Sequence, residues 1–282
     1  MDKWEFNITI VGLGLIGGSF AMALKKLNPK NLWAVDINEQ IIKKAENLKI
    51  IDKGYLDSKI PLSKSDIVII CLYPNMTVKF IRDNMNNFKK DAIITDTAGI
   101  KEEISININK IIPDYVDFIG GHPMAGRESK GLEFASKEIF EGADFILTPN
   151  SKNKEENINL LKQMLKQIGF KRIIKMTPKE HDEMVAFTSQ LPHVIASALM
   201  NSEMLNNKNI CTGGSFKDTT RVARINSKLW SELILENREN IMNQIDDFQN
   251  KLEFIKKSIE NKNQQCLEKI FDEGNTRRKE MI

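Results

Sequence analysis

From Asn7 to about Met176, short apolar runs alternate with amphipathic stretches, the pattern of strands joined by crossover helices in a parallel sheet. The candidate strands are residues 8–11, 32–35, 67–71, 92–95, 117–120, 144–147 and 172–175, most of them too short to be anything else. Between them, residues 16–27 and 39–48 place apolar side chains at three- and four-residue spacing, as helices covering a sheet face do.

The character changes after Met176. Thr177-Pro178-Lys179-Glu180 reads as a helix start: Thr177 caps, Pro178 takes the first helical position and Glu180 completes a capping box. Beyond it the pattern is helical with no convincing strand. This divides the chain into residues 1–176, an α/β domain, and residues 177–282, an all-helical domain. In the last third Ile241, Ile245, Phe248, Leu252, Ile255 and Ile259 recur at steps of four and three, a heptad-like seam on one long helix that ends before Asn263. Such a seam needs a partner, either the core of the helical domain or a second subunit.

Composition narrows the classes. The 282 residues are 41% hydrophobic, enough for a sizeable core, and 41 Lys+Arg against 38 Asp+Glu leave a formal charge of only +3. That balance does not suit a nucleic-acid or membrane binder. No apolar stretch approaches the roughly 20 residues of a membrane span, and residues 1–7 are too short and polar for a signal peptide, so a cytoplasmic protein is expected. Cys71, Cys211 and Cys266 are scattered singly, which argues against disulfides or structural zinc.

The first specific chemistry lies at Gly12-Leu13-Gly14-Leu15-Ile16-Gly17, a G-x-G-x-x-G that follows the first strand and opens a helix. In that context Gly12 permits the tight turn and Gly14 lets backbone approach a pyrophosphate. Gly17 allows close helix packing, and the first-turn N–H groups at Leu15 and Ile16 face the anion. Asp36 ends the second strand, where a carboxylate accepts hydrogen bonds from an adenosine ribose and repels a 2'-phosphate. The sequence therefore points to a Rossmann-like, doubly wound, mainly parallel sheet binding NAD rather than NADP.

Only three histidines are present. His122, in Gly121-His122-Pro123-Met124-Ala125-Gly126, is expected just beyond the end of a strand among small residues, a place suited to an uncovered acid–base imidazole. His193, after Pro192, sits where a kinked helix frees carbonyls beside a cavity. His181, next to Asp182, reads as a local charge partner or part of the domain junction rather than as a catalytic group. Gly213-Gly214 before Lys217, Asp218 and Arg221 suggests an ordered turn presenting charge, with Arg221 able to fork onto a substrate carboxylate. No H-E-x-x-H, His/Cys cluster or G-x-S-x-G occurs, so no metal site or serine nucleophile is expected.

These segments together resemble the prephenate dehydrogenase family of tyrosine biosynthesis. The likeness runs through Gly12 to Ser19, Asp96-Thr97-Ala98-Gly99-Ile100-Lys101, Gly121 to Glu128, Leu191-Pro192-His193 and Asp218-Thr219-Thr220-Arg221-Val222-Ala223, with Trp230 beyond. The resemblance implies oxidative decarboxylation of prephenate by NAD to 4-hydroxyphenylpyruvate and CO2. It makes His122 the catalytic histidine that takes the ring-hydroxyl proton, Arg221 the carboxylate clamp, His193 a pocket histidine and Glu128 a gating or polarising acid. It also implies that Trp230 can lie at the neighbouring subunit's active site in a homodimer joined through the helical domain. Neither a fused mutase before Ile8 nor a regulatory module after about residue 280 is expected from the length.

Two positions depart from the family pattern. Gly99 stands where many members have serine, with Thr97 as a possible substitute hydroxyl. Gln190 stands where many have histidine, keeping a hydrogen-bonding side chain for the substrate pocket without a titratable proton. Arogenate or dual-specificity use remains open at this point. More distant alternatives are the 3-hydroxyacid dehydrogenases, disfavoured by Arg221 where asparagine is expected, and a non-catalytic NAD-sensing protein.

Overall fold

The computed structural model describes residues 4–127, 129–206 and 211–281. The first domain runs β1 (Asn7–Val11), α1 (Leu15–Lys25), β2 (Asn31–Val35), α2 (Glu39–Asn47), β3 (Lys53–Tyr55), α3 (Lys59–Leu62), β4 (Ile67–Ile70), α4 (Pro74–Asn84) and β5 (Ile93–Asp96). It continues with α5 (Glu102–Asn109), β6 (Asp117–Pro123), β7 (Asp144–Thr148), α6 (Glu155–Gln167) and β8 (Arg172–Lys175). The eight strands form one sheet in the order β3-β2-β1-β4-β5-β6-β7-β8, parallel except where β6 meets β7. All seven expected strands are present. The additional β3 is three residues long and contains Lys53 and Gly54, too short and too polar to register as an apolar run.

The chain winds outward from β1 through β2 to β3, then returns to start β4 on the other side of β1. The carboxyl ends of β1 and β4 therefore flank the switch point where a ligand crevice opens in such sheets. Strands β1, β4 and β5 are almost continuously apolar because both faces are covered. Ile8, Ile10, Phe20, Leu24 and Phe145 fill one side, and Val11, Val68, Ile70, Ile94 and Phe118 the other. Each buried side chain of this size contributes roughly 1.5–3 kcal/mol.

Strand β6 corrects the expectation for His122. It does not stop at Gly120: the parallel pairing to β5 ends at Thr95↔Ile119, and Gly120 through Pro123 go on to pair antiparallel with β7, His122 opposite Ile146. The Gly-Gly-His-Pro run has little strand propensity of its own, so the neighbouring strand imposes the extended backbone. His122 is thus held in a strand, beyond the parallel part of the sheet.

The second domain comprises α7 (Pro178–Val185), α8 (Leu191–Met200), α9 (Gly214–Thr220), α10 (Ser227–Glu236), α11 (Arg238–Glu260) and α12 (Gln264–Glu280). Thr177 and Glu180 form the expected capping box of α7. Residues Ala186–Gln190 form a π turn between α7 and α8, just where Pro192 lacks the N–H that an α-helical ladder requires. The glycine-led charged segment is a short helix, α9, followed by a 3-10 turn at Arg221–Ala223, and not the turn expected from Gly213-Gly214. Once Gly213 has supplied the extended N-cap, nothing in Ser215 to Thr220 opposes helix.

The seam on α11 is divided. Ile241 is buried and Ile245, Phe248 and Ile255 are half-buried, whereas Leu252 and Ile259 are 49% and 59% exposed. Ile241 therefore packs within the domain, and the outer half of the seam is exposed at Leu252 and Ile259. No helix among the described residues is long and apolar enough to cross a membrane.

Candidate active site

The glycine turn is shaped by contacts that admit no side chain. Gly12 has φ +89°, and a Cβ there would lie 2.7 Å from the Cys71 carbonyl oxygen; one at Gly17 would lie 1.8 Å from the Gly12 carbonyl oxygen. At Gly14 a Cβ would meet nothing within 4 Å, because it would point into the open approach to the helix end. No side chain caps α1 and no acidic residue occupies its first turn, so the N–H groups around Leu15 and Ile16 remain available to an anion. Asp36 Oδ2 accepts from Leu13 N and Oδ1 from Asn38 N, each at 2.8 Å. These bonds hold the carboxylate beside the turn, and Ile37, 91% exposed, follows it. This cradle fits a dinucleotide: a pyrophosphate on the helix end and a ribose on Asp36.

Next along the sheet edge is His122. Gly121 N donates to Asp96 Oδ1 at 3.1 Å, and the same carboxylate accepts Ala98 N at 3.0 Å and the ammonium of Lys101. Lys101 and Asp96 are both fully buried. His122 Nδ1 lies 2.8 Å from His181 Nε2, and His181 Nδ1 lies 2.6 Å from Asp182 Oδ1. A Cβ added at Gly99 would lie 3.8 Å from His122 Nε2 and 3.3 Å from Leu233 Cδ2, so Nε2 lies beside Gly99, on which Leu233 packs. Burial, then the neighbouring His181 and Lys101, holds the His122 imidazole well below its ordinary range. Burial also lowers His181, against the opposing pull of Asp182. Both rings are therefore neutral near neutral pH.

The helical domain carries the other expected site residues. His193 Nδ1 donates to the Ser189 carbonyl oxygen at 2.8 Å, within the π turn, and its ring stacks on Trp230 of the same chain at 3.7 Å and 29°. Trp230, expected at a neighbouring subunit's site, thus stacks on His193 of its own chain. Arg221 is exposed and opens the 3-10 turn that packs on α8, the helix of His193.

Two expected pocket residues are placed elsewhere. Gln190 is buried in the junction: its amide donates to the Leu233 carbonyl at 3.0 Å and accepts from Asn237 at 2.9 Å, so it ties helices together instead of presenting an amide to substrate. The Thr97 hydroxyl donates to the Ile70 carbonyl at 3.4 Å, back into the sheet, and does not replace the hydroxyl absent at Gly99. Glu128 lies outside the described residues.

Sequence reasoning passed over the His181–Asp182 pair as a junction element. It is one: Asp182 Oδ1 and Oδ2 accept Lys101 N and Glu102 N, each at 2.8 Å, capping α5. It also reaches His122, and the one available signal was a His-Asp dipeptide inside the first turns after a capping box. Leu233, which closes over Gly99, carried no signal beyond apolarity. Among the described residues no group of three or more His, Cys, Asp or Glu side chains could hold a metal.

A nucleotide cradle and an imidazole on one sheet edge, with a second, helical domain packed against that edge through His181, Asp182 and Leu233, is the plan of the two-domain nucleotide-dependent dehydrogenases. Residues 20–174 match the nucleotide-binding domain of prephenate dehydrogenase and residues 177–273 its dimerization domain. Prephenate dehydrogenase of Bacillus subtilis is 31% identical over 280 residues, covering 96% of this chain and 75% of that protein. The Lactococcus lactis subsp. cremoris enzyme is 33% identical over 287 residues, covering 98% and 77%. The crystal structure of A. aeolicus prephenate dehydrogenase with hydroxyphenyl propionate and NAD+ superposes with a TM-score of 0.90 at 29% identity, covering 100% of this chain and 99% of that one. The chain belongs to the prephenate dehydrogenase family.

Proposed function

We propose that this protein is an NAD-dependent prephenate dehydrogenase that acts as a homodimer, with a nucleotide domain and a helical domain meeting near residue 176. The observation that carries the reading is His122: an imidazole whose Nδ1 meets His181 and whose Nε2 lies beside Gly99, on the same sheet edge as the nucleotide turn.

Gly12, Gly14, Gly17 and the first turn of α1 at Leu15 and Ile16 would hold the pyrophosphate, and Asp36 the adenosine ribose. NAD, when bound, supplies the acceptor for the hydride that leaves the carbinol carbon of prephenate. His122 accepts the hydroxyl proton from that carbon as it becomes a carbonyl. The ring carboxylate then departs as CO2, its C–C bonding pair entering the ring, and the resulting phenolate oxygen recovers the proton from His122. Atoms and charge balance without a further reactant. Arg221 would clamp a substrate carboxylate, with His193 and Trp230 forming the helical wall. Glu128 belongs to the same reading through the resemblance alone. Since aromatisation drives carboxylate loss, the protein contributes mainly by orientation and exclusion of water.

Three features support a second copy as partner: the match to a dimerization domain, the exposed half of the α11 seam, and Phe271, 63% exposed on α12. The experiment that tests the function is an assay of the purified protein with NAD and, separately, prephenate and arogenate. Formation of 4-hydroxyphenylpyruvate and NADH from prephenate is expected. Equal or better turnover of arogenate would overturn the substrate assignment, and no turnover of either would overturn the activity.

A further inference from the structure

We infer that His181, backed by Asp182, is a positioning residue that selects the tautomer and ring orientation of His122. The inference rests on the reading of His122 as the proton acceptor.

Both oxygens of Asp182 accept backbone N–H groups from the first turn of α5, so the carboxylate is fixed in place and acts as an acceptor only. Across the 2.6 Å contact, His181 Nδ1 must therefore carry the hydrogen and donate to Oδ1. A neutral imidazole bears one hydrogen, which leaves His181 Nε2 an acceptor. The 2.8 Å contact to His122 then requires His122 Nδ1 to donate. With Nδ1 carrying the hydrogen, the lone pair of His122 is at Nε2, the nitrogen beside Gly99. In the opposite tautomer two lone pairs would confront each other at 2.8 Å in a part-buried site, with no hydrogen between them.

The departure at position 99 gives this relay its importance. A serine there could orient the imidazole from the Nε2 side; Gly99 brings no hydroxyl, so orientation falls to the Nδ1 side. The arrangement has the logic of an aspartate holding a catalytic histidine in the correct tautomer, with a second imidazole interposed. The proton still travels only between substrate oxygen and His122 Nε2. His181 touches neither substrate nor cofactor.

The test uses the full-length protein. With only three histidines in the chain, the His122 ring nitrogens can be assigned in 15N-labelled protein by long-range 1H–15N correlation, using His122→Asn to identify its signals. The expected wild-type result is the Nδ1–H form, and a predominant Nε2–H form would overturn the proposal whether or not any variant folds. In steady-state assays, His181→Ala should lower kcat about tenfold or more while prephenate KM changes by less than about twofold. His181→Gln, whose amide can donate to Asp182 and accept from His122, should recover part of that loss. An unchanged kcat in His181→Ala, or no recovery in His181→Gln, would overturn the positioning role. The spectroscopic result does not depend on turnover, so a wild-type protein inactive on prephenate would sink the functional reading and leave the tautomer question separately decided.

Discussion

The ammonium of Lys101 is buried completely against the carboxylate of Asp96, and that carboxylate also accepts the N–H of Gly121, the residue before His122. The ion pair is thus built into the backbone that carries the imidazole. Replacing Lys101 by Met leaves a buried carboxylate without its counter-charge, and breaking such a pair costs about 3–5 kcal/mol. Urea unfolding should show a loss of that order for Lys101→Met. A change within 1 kcal/mol would mean that the pair is dispensable.

Removing the proton acceptor should affect turnover selectively. For His122→Asn we expect kcat to fall roughly 10²-fold or more, with NAD affinity preserved because the nucleotide cradle is formed by other elements. Stopped-flow and steady-state rates with prephenate check the first part, and cofactor fluorescence titration the second. Wild-type turnover in this variant would remove His122 from the chemistry.

The half-buried His122 and the buried His181 make stability depend on pH with a definite sign. Both are held below the unfolded-state value of about 6.5, chiefly by burial. The unfolded chain therefore takes up protons first as pH falls. The stability tied to their neutral forms is complete above about pH 6.5 and is lost progressively below it, through the folded-state values. Thermal melts should show Tm declining from about pH 7 to about pH 5, and less steeply in His122→Asn. The acid limb of kcat/KM should likewise lie below about 6.5, and a limb at or above that value would contradict a base held in its neutral form.

Arg221 is expected to act on binding. Its exposed guanidinium can form a charge-assisted pair with a substrate carboxylate, worth about 1.5–3 kcal/mol. Arg221→Ala should therefore raise the prephenate KM by roughly tenfold to a hundredfold. An unaltered KM would reject the clamp.

Cofactor choice is expected to follow Asp36. Its carboxylate, held by Leu13 N and Asn38 N, repels a 2'-phosphate, so kcat/KM with NAD should exceed that with NADP. Comparable values would contradict this. Asp36→Asn should narrow the gap.

The sheet, the glycine turn and the capping box were legible in sequence because each is written locally: an apolar run, a glycine spacing, a Thr-x-x-Glu. What was not legible depends on distant residues. The extension of β6 through His122 is imposed by β7, and the burial of Gln190 by Asn237 and the Leu233 carbonyl. The meeting of His122 with His181 joins residues far apart in the chain, brought together because α7 docks its Asp182 onto the start of α5. A His-Asp dipeptide gives no hint of a third ring. The helix at Gly214–Thr220 was missed for the converse reason: two glycines suggested a turn, although both precede or open the helix and leave its body unaffected.

Helix α10 touches both halves of the crevice. Leu233 leans over Gly99 on the sheet side, while Trp230, one turn earlier, lies flat on His193 on the helical side. The two contacts share one rigid rod, so its axial position is a common setting for the room above the base and the pose of the far wall. Bulk introduced at residue 99 would push on Leu233 and, through that rod, disturb a stacked ring pair that it never meets.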